Sequence, residues 1–217
     1  MEPVLELLLG NKNYSSWSMR GYLAVAASGL PFRETVVPLF DDTTAGAIAA
    51  FSPSGLVPAL RHGDIVVWDS LAIGEYVAEL APAAQLWPAD RATRALARSV
   101  ACEMHSGFTA LRRDMPMNVR ARRPGVGHTP EALASAARVM TIWREQRARH
   151  GAAGPYLFGA FTIADVMYAP VATRFRTYGV ELDGACQAYV DALFAHPQVA
   201  AWLAAAEAEP WSIARYD

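Results

Sequence analysis

The chain has 217 residues, 53% hydrophobic and 18% charged, with a formal net charge of −2. These proportions describe a folded protein with one large core or two small ones, and they exclude a disordered segment. The near-neutral balance excludes recognition of nucleic acid through bulk positive charge, and no run reaches the roughly 18 apolar residues that cross a bilayer.

In MEPVLELLLG no basic region precedes the apolar run, and Glu6 lies inside it, so neither a signal peptide nor a membrane span is expected. Val4 to Leu9 reads as a buried strand bounded by Gly10 and Asn11. Ser16 to Ser28 reads as a helix stopped by Gly29. Phe32 to Pro38 is the second predicted strand, and Thr43 to Phe51 a short helix. Pro58 to Arg61 and Ile65 to Trp68 flank His62-Gly63-Asp64, a hairpin signature. Asp69 or Ser70 then caps a helix to about Leu80. The order β-α-β-α-β-β-α in residues 1–80 predicts a small α/β layer structure.

Ala81 to Pro88, with prolines at both ends of the stretch, reads as a linker spanning residues 81–88. Residues 89–217 read as all-helical: a long helix from Asp90 to about Asn118, then Pro130 to His150, Thr162 to Tyr178, Gly184 to Ala195 and Pro197 to Ala208. In the third of these, Thr162 and Asp165 form a capping box, with Phe161 and Val166 as its hydrophobic staple.

Candidate chemistry concentrates in the first half. Ser15, Ser16 and Ser18 crowd the strand-to-helix loop, and one cap does not require three hydroxyls. A hydroxyl at a helix N-terminus sits where partial positive charge favours anions, and it can donate a hydrogen bond to a thiolate. Val57-Pro58 opens a strand; a trans proline there is a strand start, whereas a cis bond turns the Val57 backbone towards a peptide-like ligand. Asp69-Ser70 is either a plain cap or a grip on an α-amino acid end, with Ser70 on the carboxylate and Asp69 on the ammonium. Five histidines show no metal-ligand spacing. Gly125 and Gly127 make no dinucleotide fingerprint. Cys102 and Cys186, the two cysteines, supply neither a CxxC motif nor a disulfide framework, which fits a reducing cytoplasm. The five arginines from Arg112 to Arg123 read as a solvated helix end or as an anion-attracting rim.

The serine-rich loop, Val57-Pro58, Asp69-Ser70 and the capping box, in this order, resemble a glutathione transferase across nearly the whole chain. The resemblance implies a thioredoxin-like α/β N-terminal domain plus an all-α C-terminal substrate domain. The loop SSWSMR looks most like the zeta class, which includes maleylacetoacetate isomerases and has SSCSWR here; Trp17 stands at its cysteine and Met19 at its tryptophan. By this resemblance the co-substrate is glutathione. Ser15 is implied to hydrogen-bond its sulfur, with Ser16 as understudy and Tyr14 as a second candidate. Val57 would pair with the cysteinyl unit, and Asp69 and Ser70 with the γ-glutamyl end. Trp17 would border a small electrophile, and so would Met104, His105, Phe108 and Arg112, which recur at helical spacing. Arg174 or Arg176 would anchor a substrate carboxylate. The resemblance also implies a cytoplasmic homodimer active in detoxification, with no nucleic-acid or membrane partner. Two other readings stay open: a glutathione-fold binding protein without catalysis, and an isomerase of the maleylacetoacetate type.

Overall fold

The computed structural model describes residues 4–217. The described chain divides into two compact units, one running to Leu86 and completed by Ala201–Asp217, the other Trp87–Ala200.

In the first unit four strands, β1 (Leu5–Gly10), β2 (Phe32–Val37), β3 (Ala59–His62) and β4 (Ile65–Trp68), form one sheet in the order β2-β1-β3-β4. β1 pairs parallel with β2 and antiparallel with β3, and β3 pairs antiparallel with β4 across the Gly63 turn. The position of β1 inside the sheet explains its composition: Leu5, Leu7, Leu8 and Leu9 are all buried. Leu8 packs with Val37 and with Ile48 of α2 (Thr44–Phe51), and alternation sends Leu7 and Leu9 to the opposite face. Helices α1 (Ser16–Ala27) and α3 (Ser70–Leu80) pack against each other.

Residues 201–217 close this unit through polar contacts that no local pattern announces. The Glu209 carboxylate accepts from Asn11 Nδ2 at 3.0 Å and from the Lys12 backbone N–H. Trp202 Nε1 donates to the Lys12 carbonyl at 3.1 Å. Lys12, the chain's single lysine, is buried; it pairs with Glu34, and its ammonium lies 5.0 Å from the Tyr22 ring centroid.

The second unit is helical: α4 (Arg91–Ser106), α5 (Thr109–Asp114), α6 (Pro130–His150), α7 (Ile163–Tyr178) and α8 (Gly184–Ala195), with α9 (Pro197–Ala208) leading back to the first unit. α7 is buried on nearly every side, the mark of a helix at the centre of a bundle. Trp143 of α6 meets Tyr168 and Phe175 of α7 and Tyr189 of α8, with ring centroids 5.0–6.0 Å apart. The capping box forms as expected: Asp165 accepts from Thr162 N–H at 2.8 Å and from its hydroxyl at 3.0 Å. Phe161 stacks on His196, centroids 3.7 Å apart, and meets Tyr156 edge-on.

The single helix expected from Asp90 to Asn118 is corrected. It breaks at Gly107, which is extended (φ −98°, ψ −166°), and at Phe108, which is left-handed (φ 57°). A Cβ on Gly107 would stand 2.6 Å from the Glu103 carbonyl oxygen, so the turn needs glycine there. After Asp114 the chain is irregular to Pro130. Among the described residues no helix is long and apolar enough to cross a membrane, and no group of side chains is placed to hold a metal ion.

Candidate functional site

In the first unit a cleft of about 520 Å³ is lined by Trp17, Val57, Pro58, Asp69 and Ser70, all singled out by sequence, together with Ser54, Leu56 and Trp68. Three connections carry these residues to one place. Trp17 leads the first turn of α1, Val57-Pro58 precedes β3, and Asp69-Ser70 joins β4 to α3. The Val57-Pro58 bond is cis. Pro58 also abuts α1 at Gly21, where a Cβ would meet Pro58 Cβ at 2.7 Å. Gly21→Ala is therefore expected to cost about 1–3 kcal/mol through overpacking, read as a lower urea midpoint; an unchanged midpoint would show that the contact yields freely.

Asp69 caps α3, its carboxylate accepting from Leu71 N–H at 2.8 Å and Ala72 N–H at 3.3 Å. It does so at φ 73°, a left-handed conformation costing a non-glycine residue about 1–3 kcal/mol. Strain of this size at a cleft is an observation that points to a site. Ser70 follows as the first residue of α3; it is buried, and its Oγ has no hydrogen-bond partner among the described residues. Such an orphan is rare in native proteins and calls for an explanation.

At the head of α1, Ser15 is the N-cap. Its Oγ accepts from Ser18 N–H at 3.2 Å and donates to Ser18 Oγ at 2.8 Å, and Ser18 Oγ also accepts from Gly10 N–H at 2.9 Å. Ser15 and Ser16 are 8% and 6% exposed and come two residues and one residue before Trp17. The Arg20 guanidinium lies 4.9 Å from the Trp17 ring centroid, backing the indole. The Tyr14 hydroxyl is engaged elsewhere: it donates to Asp217 Oδ1 at 2.7 Å and accepts from Ile213 N–H at 3.2 Å. That geometry makes Tyr14 an anchor for the C-terminal residues.

Sequence reasoning missed Ser54, Leu56 and Trp68 as cleft residues. Leu56 and Trp68 are large, apolar and exposed, at 69% and 47%. The available signal was their position at the two ends of the hairpin, Leu56 two residues before Pro58 and Trp68 immediately before Asp69.

In the second unit the helical spacing of Met104, His105, Phe108 and Arg112 does not survive the break at Gly107. Met104 is core, and His105 lies in the last turn of α4. Phe108 occupies the left-handed position before α5. Arg112 folds back on the end of α4, donating to the carbonyls of Gly107 at 3.0 Å, His105 at 2.9 Å and Met104. Burial lowers its pKa from the ordinary arginine value. Arg174 is buried and donates to the Met115 carbonyl. Arg176 lines a separate cleft of about 310 Å³, its guanidinium 4.6 Å from the Phe194 ring centroid. Burial pushes the Cys186 thiol up to about 12, Cys102 lies exposed on α4, and both cysteines are free.

Residues 14–80 match the model of the glutathione S-transferase N-terminal domain, and residues 103–205 that of the C-terminal domain. A carnation (Dianthus caryophyllus) protein named glutathione S-transferase 1 is 41% identical over 83 residues, 38% of each chain. Rat maleylacetoacetate isomerase is 26% identical over 172 residues, 77% of each chain. A Ralstonia maleylpyruvate isomerase is 36% identical over 103 residues, 43% of this chain and 49% of that one. The chain thus matches less than half the length of the carnation and Ralstonia relatives. In fold it is similar to a glutathione transferase homologue of Burkholderia solved with bound glutathione, at TM-score 0.72, 24% identity, and coverage of 95% and 100% of the two chains.

Proposed function

Because the chain belongs to the glutathione S-transferase family, we propose that it is a serine-type, zeta-like glutathione transferase acting on a small hydrophobic or carboxylate-bearing electrophile. The observation that carries the reading is Ser70, a buried hydroxyl without a partner in the cleft that also holds the cis Val57-Pro58 and the strained Asp69. This set fits glutathione. Ser70 and the N-terminal amides of α3 would take the γ-glutamyl carboxylate, Asp69 the ammonium, and the Val57 backbone the cysteinyl unit.

Glutathione supplies the nucleophilic sulfur. Ser15, at the N-terminus of α1, donates to that sulfur and stabilises its anion. Lowering a thiol pKa from about 8.5 by two units takes about 2.7 kcal/mol, which one charge-assisted hydrogen bond of about 1.5–3 kcal/mol largely supplies. Ser15 keeps its own proton throughout. Ser16, next in the chain, is the reserve donor. The faces of Trp17 and Trp68, with Leu56, suit a flat or apolar electrophile. Arg176, in the helical unit's cleft, is the candidate for a substrate carboxylate. The family resemblance adds a homodimer in the cytoplasm.

A second reading, glutathione-dependent cis–trans isomerisation, is favoured by the length of the match to the rat isomerase. Trp17 in place of the zeta-class cysteine weighs against it.

Calorimetric titration of glutathione into wild type and Ser70→Ala tests the assignment. Loss of a hydrogen bond to a charged group, about 1.5–3 kcal/mol, predicts affinity lower by roughly ten- to a hundredfold. Equal affinity would remove the γ-glutamyl end from this cleft.

A further inference from the structure

Glutathione carries two carboxylates, and the cleft as read above receives one of them. With the γ-glutamyl end on Asp69-Ser70 and the cysteinyl unit on Val57, the glycyl residue lies on the side of Val57 away from Asp69. Trp68 adjoins Asp69, and Trp17 stands at the head of α1, so Ser54 and Leu56 are the lining residues left for the glycyl end. That segment is built against an anion. Its backbone donors are committed within it: Gly55 N–H donates to the Ser52 carbonyl at 3.1 Å, and Leu56 N–H to Ser54 Oγ at 3.2 Å. Ser54 Oγ also pairs with Ser52 Oγ at 2.9 Å. The Leu56 side chain, 69% exposed, presents hydrocarbon. The segment follows the C-terminus of α2, the partially negative end of a helix.

The cations of this unit are placed elsewhere. Arg61 donates to the Ala50 and Phe51 carbonyls at 3.4 and 3.5 Å, with its guanidinium 4.3 Å from the Phe51 ring centroid. Lys12 is buried against Glu34, and Arg20 is 1% exposed with its guanidinium on the Trp17 ring. Arg33 stands on β2, at the opposite sheet edge from β4, and Arg215 lies 3.6 Å from the Phe40 ring centroid. Among the described residues that line the cleft, Asp69 carries the single charge. A carboxylate laid on Leu56 would give up water without gaining a partner.

We infer that the cleft reads the γ-glutamyl and cysteinyl parts of its thiol co-substrate and leaves the glycyl carboxylate unread, with Leu56 as the residue that sets this specificity. The inference rests on the reading of the cleft as a glutathione site. The co-substrate class is therefore wider than glutathione: γ-glutamylcysteinyl thiols whose third residue is uncharged fit the site at least as well. An amide or other neutral group beyond the cysteinyl unit meets Leu56 without a charge to desolvate.

The test is a calorimetric comparison of glutathione with its two monoamides, one masked at the glycyl carboxylate and the other at the γ-glutamyl α-carboxylate. Each removes one negative charge at nearly constant shape, so the pair differs only in which end is neutral. The glycyl amide should bind at least as tightly as glutathione. The α-amide should bind roughly ten- to a hundredfold more weakly, through loss of hydrogen bonds to a charged group. A glycyl amide that binds more weakly than glutathione overturns the inference, because a cation would then be reading that end. Leu56→Arg, at an exposed position where folding is not at stake, should reverse the order. It should favour glutathione over the glycyl amide by roughly two- to fivefold, the strength of an exposed ion pair. A ratio unchanged from wild type overturns the placement of the glycyl end at Leu56. If glutathione and both amides fail to bind, the glutathione reading of the cleft falls and the inference with it. Glutathione that binds where the glycyl amide does not sinks the inference alone.

Discussion

Replacing Asp165 with alanine is expected to destabilise the helical unit by about 3–5 kcal/mol, a large share of the roughly 5–15 kcal/mol that holds a domain together. The carboxylate is fully buried and accepts four hydrogen bonds: Leu157 N–H at 3.0 Å, Thr162 N–H at 2.8 Å, Thr162 Oγ1 at 3.0 Å and Tyr189 Oη at 3.0 Å. Alanine leaves these donors facing a void, at about 1–3 kcal/mol for each one that finds no new acceptor. The isosteric variant Asp165→Asn turns an amide N–H₂ towards some of the same donors, so it should not restore stability. Burial pushes the Asp165 carboxyl up to about 6, against the four hydrogen bonds that pull it down. The folded protein therefore holds this proton more tightly than the unfolded chain between about pH 4 and 6. The carboxyl's contribution to stability is full below about pH 4 and declines as pH rises through 6. Urea unfolding of wild type and Asp165→Ala should show a stability difference that narrows across this window. A difference that widens would mean the four donors outweigh burial.

Ser15→Ala is expected to lower kcat/KM for conjugation of an activated aryl halide about twenty-five-fold at pH 7, rising towards about a hundredfold below pH 6, where neither thiol is mostly ionised. The limiting factor is the cost of returning a thiol pKa by two units, about 2.7 kcal/mol. The effect should lie in the turnover number, with little change in glutathione affinity, because the bond is to the sulfur and not to the γ-glutamyl end. Ser15 is also the N-cap of α1, so alanine removes about 1 kcal/mol of stability as well. Ser15→Gly separates the two roles. Glycine costs only a few tenths of a kcal/mol at an N-cap yet offers no hydroxyl, so activity should fall as far as in the alanine variant while the melting temperature recovers. Activity that recovers together with stability would reduce Ser15 to a cap.

The order of elements in residues 1–80 was legible because the punctuation is strong. Gly29 ends a helix, Pro38 follows a strand, Gly63 turns a hairpin and Asp69 caps a helix. The cleft residues were legible for the same reason, since they lie at those breaks. Local signals failed where long-range contacts decide. Nothing near Tyr14 shows that its hydroxyl meets Asp217, or that Glu209 holds the amides of the preceding loop. The break at Gly107 was hidden because apolar periodicity continues through it, and a single glycine within a helical pattern is often tolerated. The bond at Val57-Pro58 stayed open because the sequence does not select between cis and trans. The orphan hydroxyl of Ser70 and the paired hydroxyls of Ser15 and Ser18 required coordinates, because the donors and acceptors of a site are counted in space.

The most direct measurement is the pKa of the glutathione thiol on the enzyme, followed by thiolate absorbance against pH in wild type and Ser15→Ala. The thiol should titrate about two units below its free value of about 8.5 in wild type and return to that value in Ser15→Ala. A bound thiol that titrates at the free value in both proteins would contradict serine activation and leave a glutathione-binding protein without this chemistry.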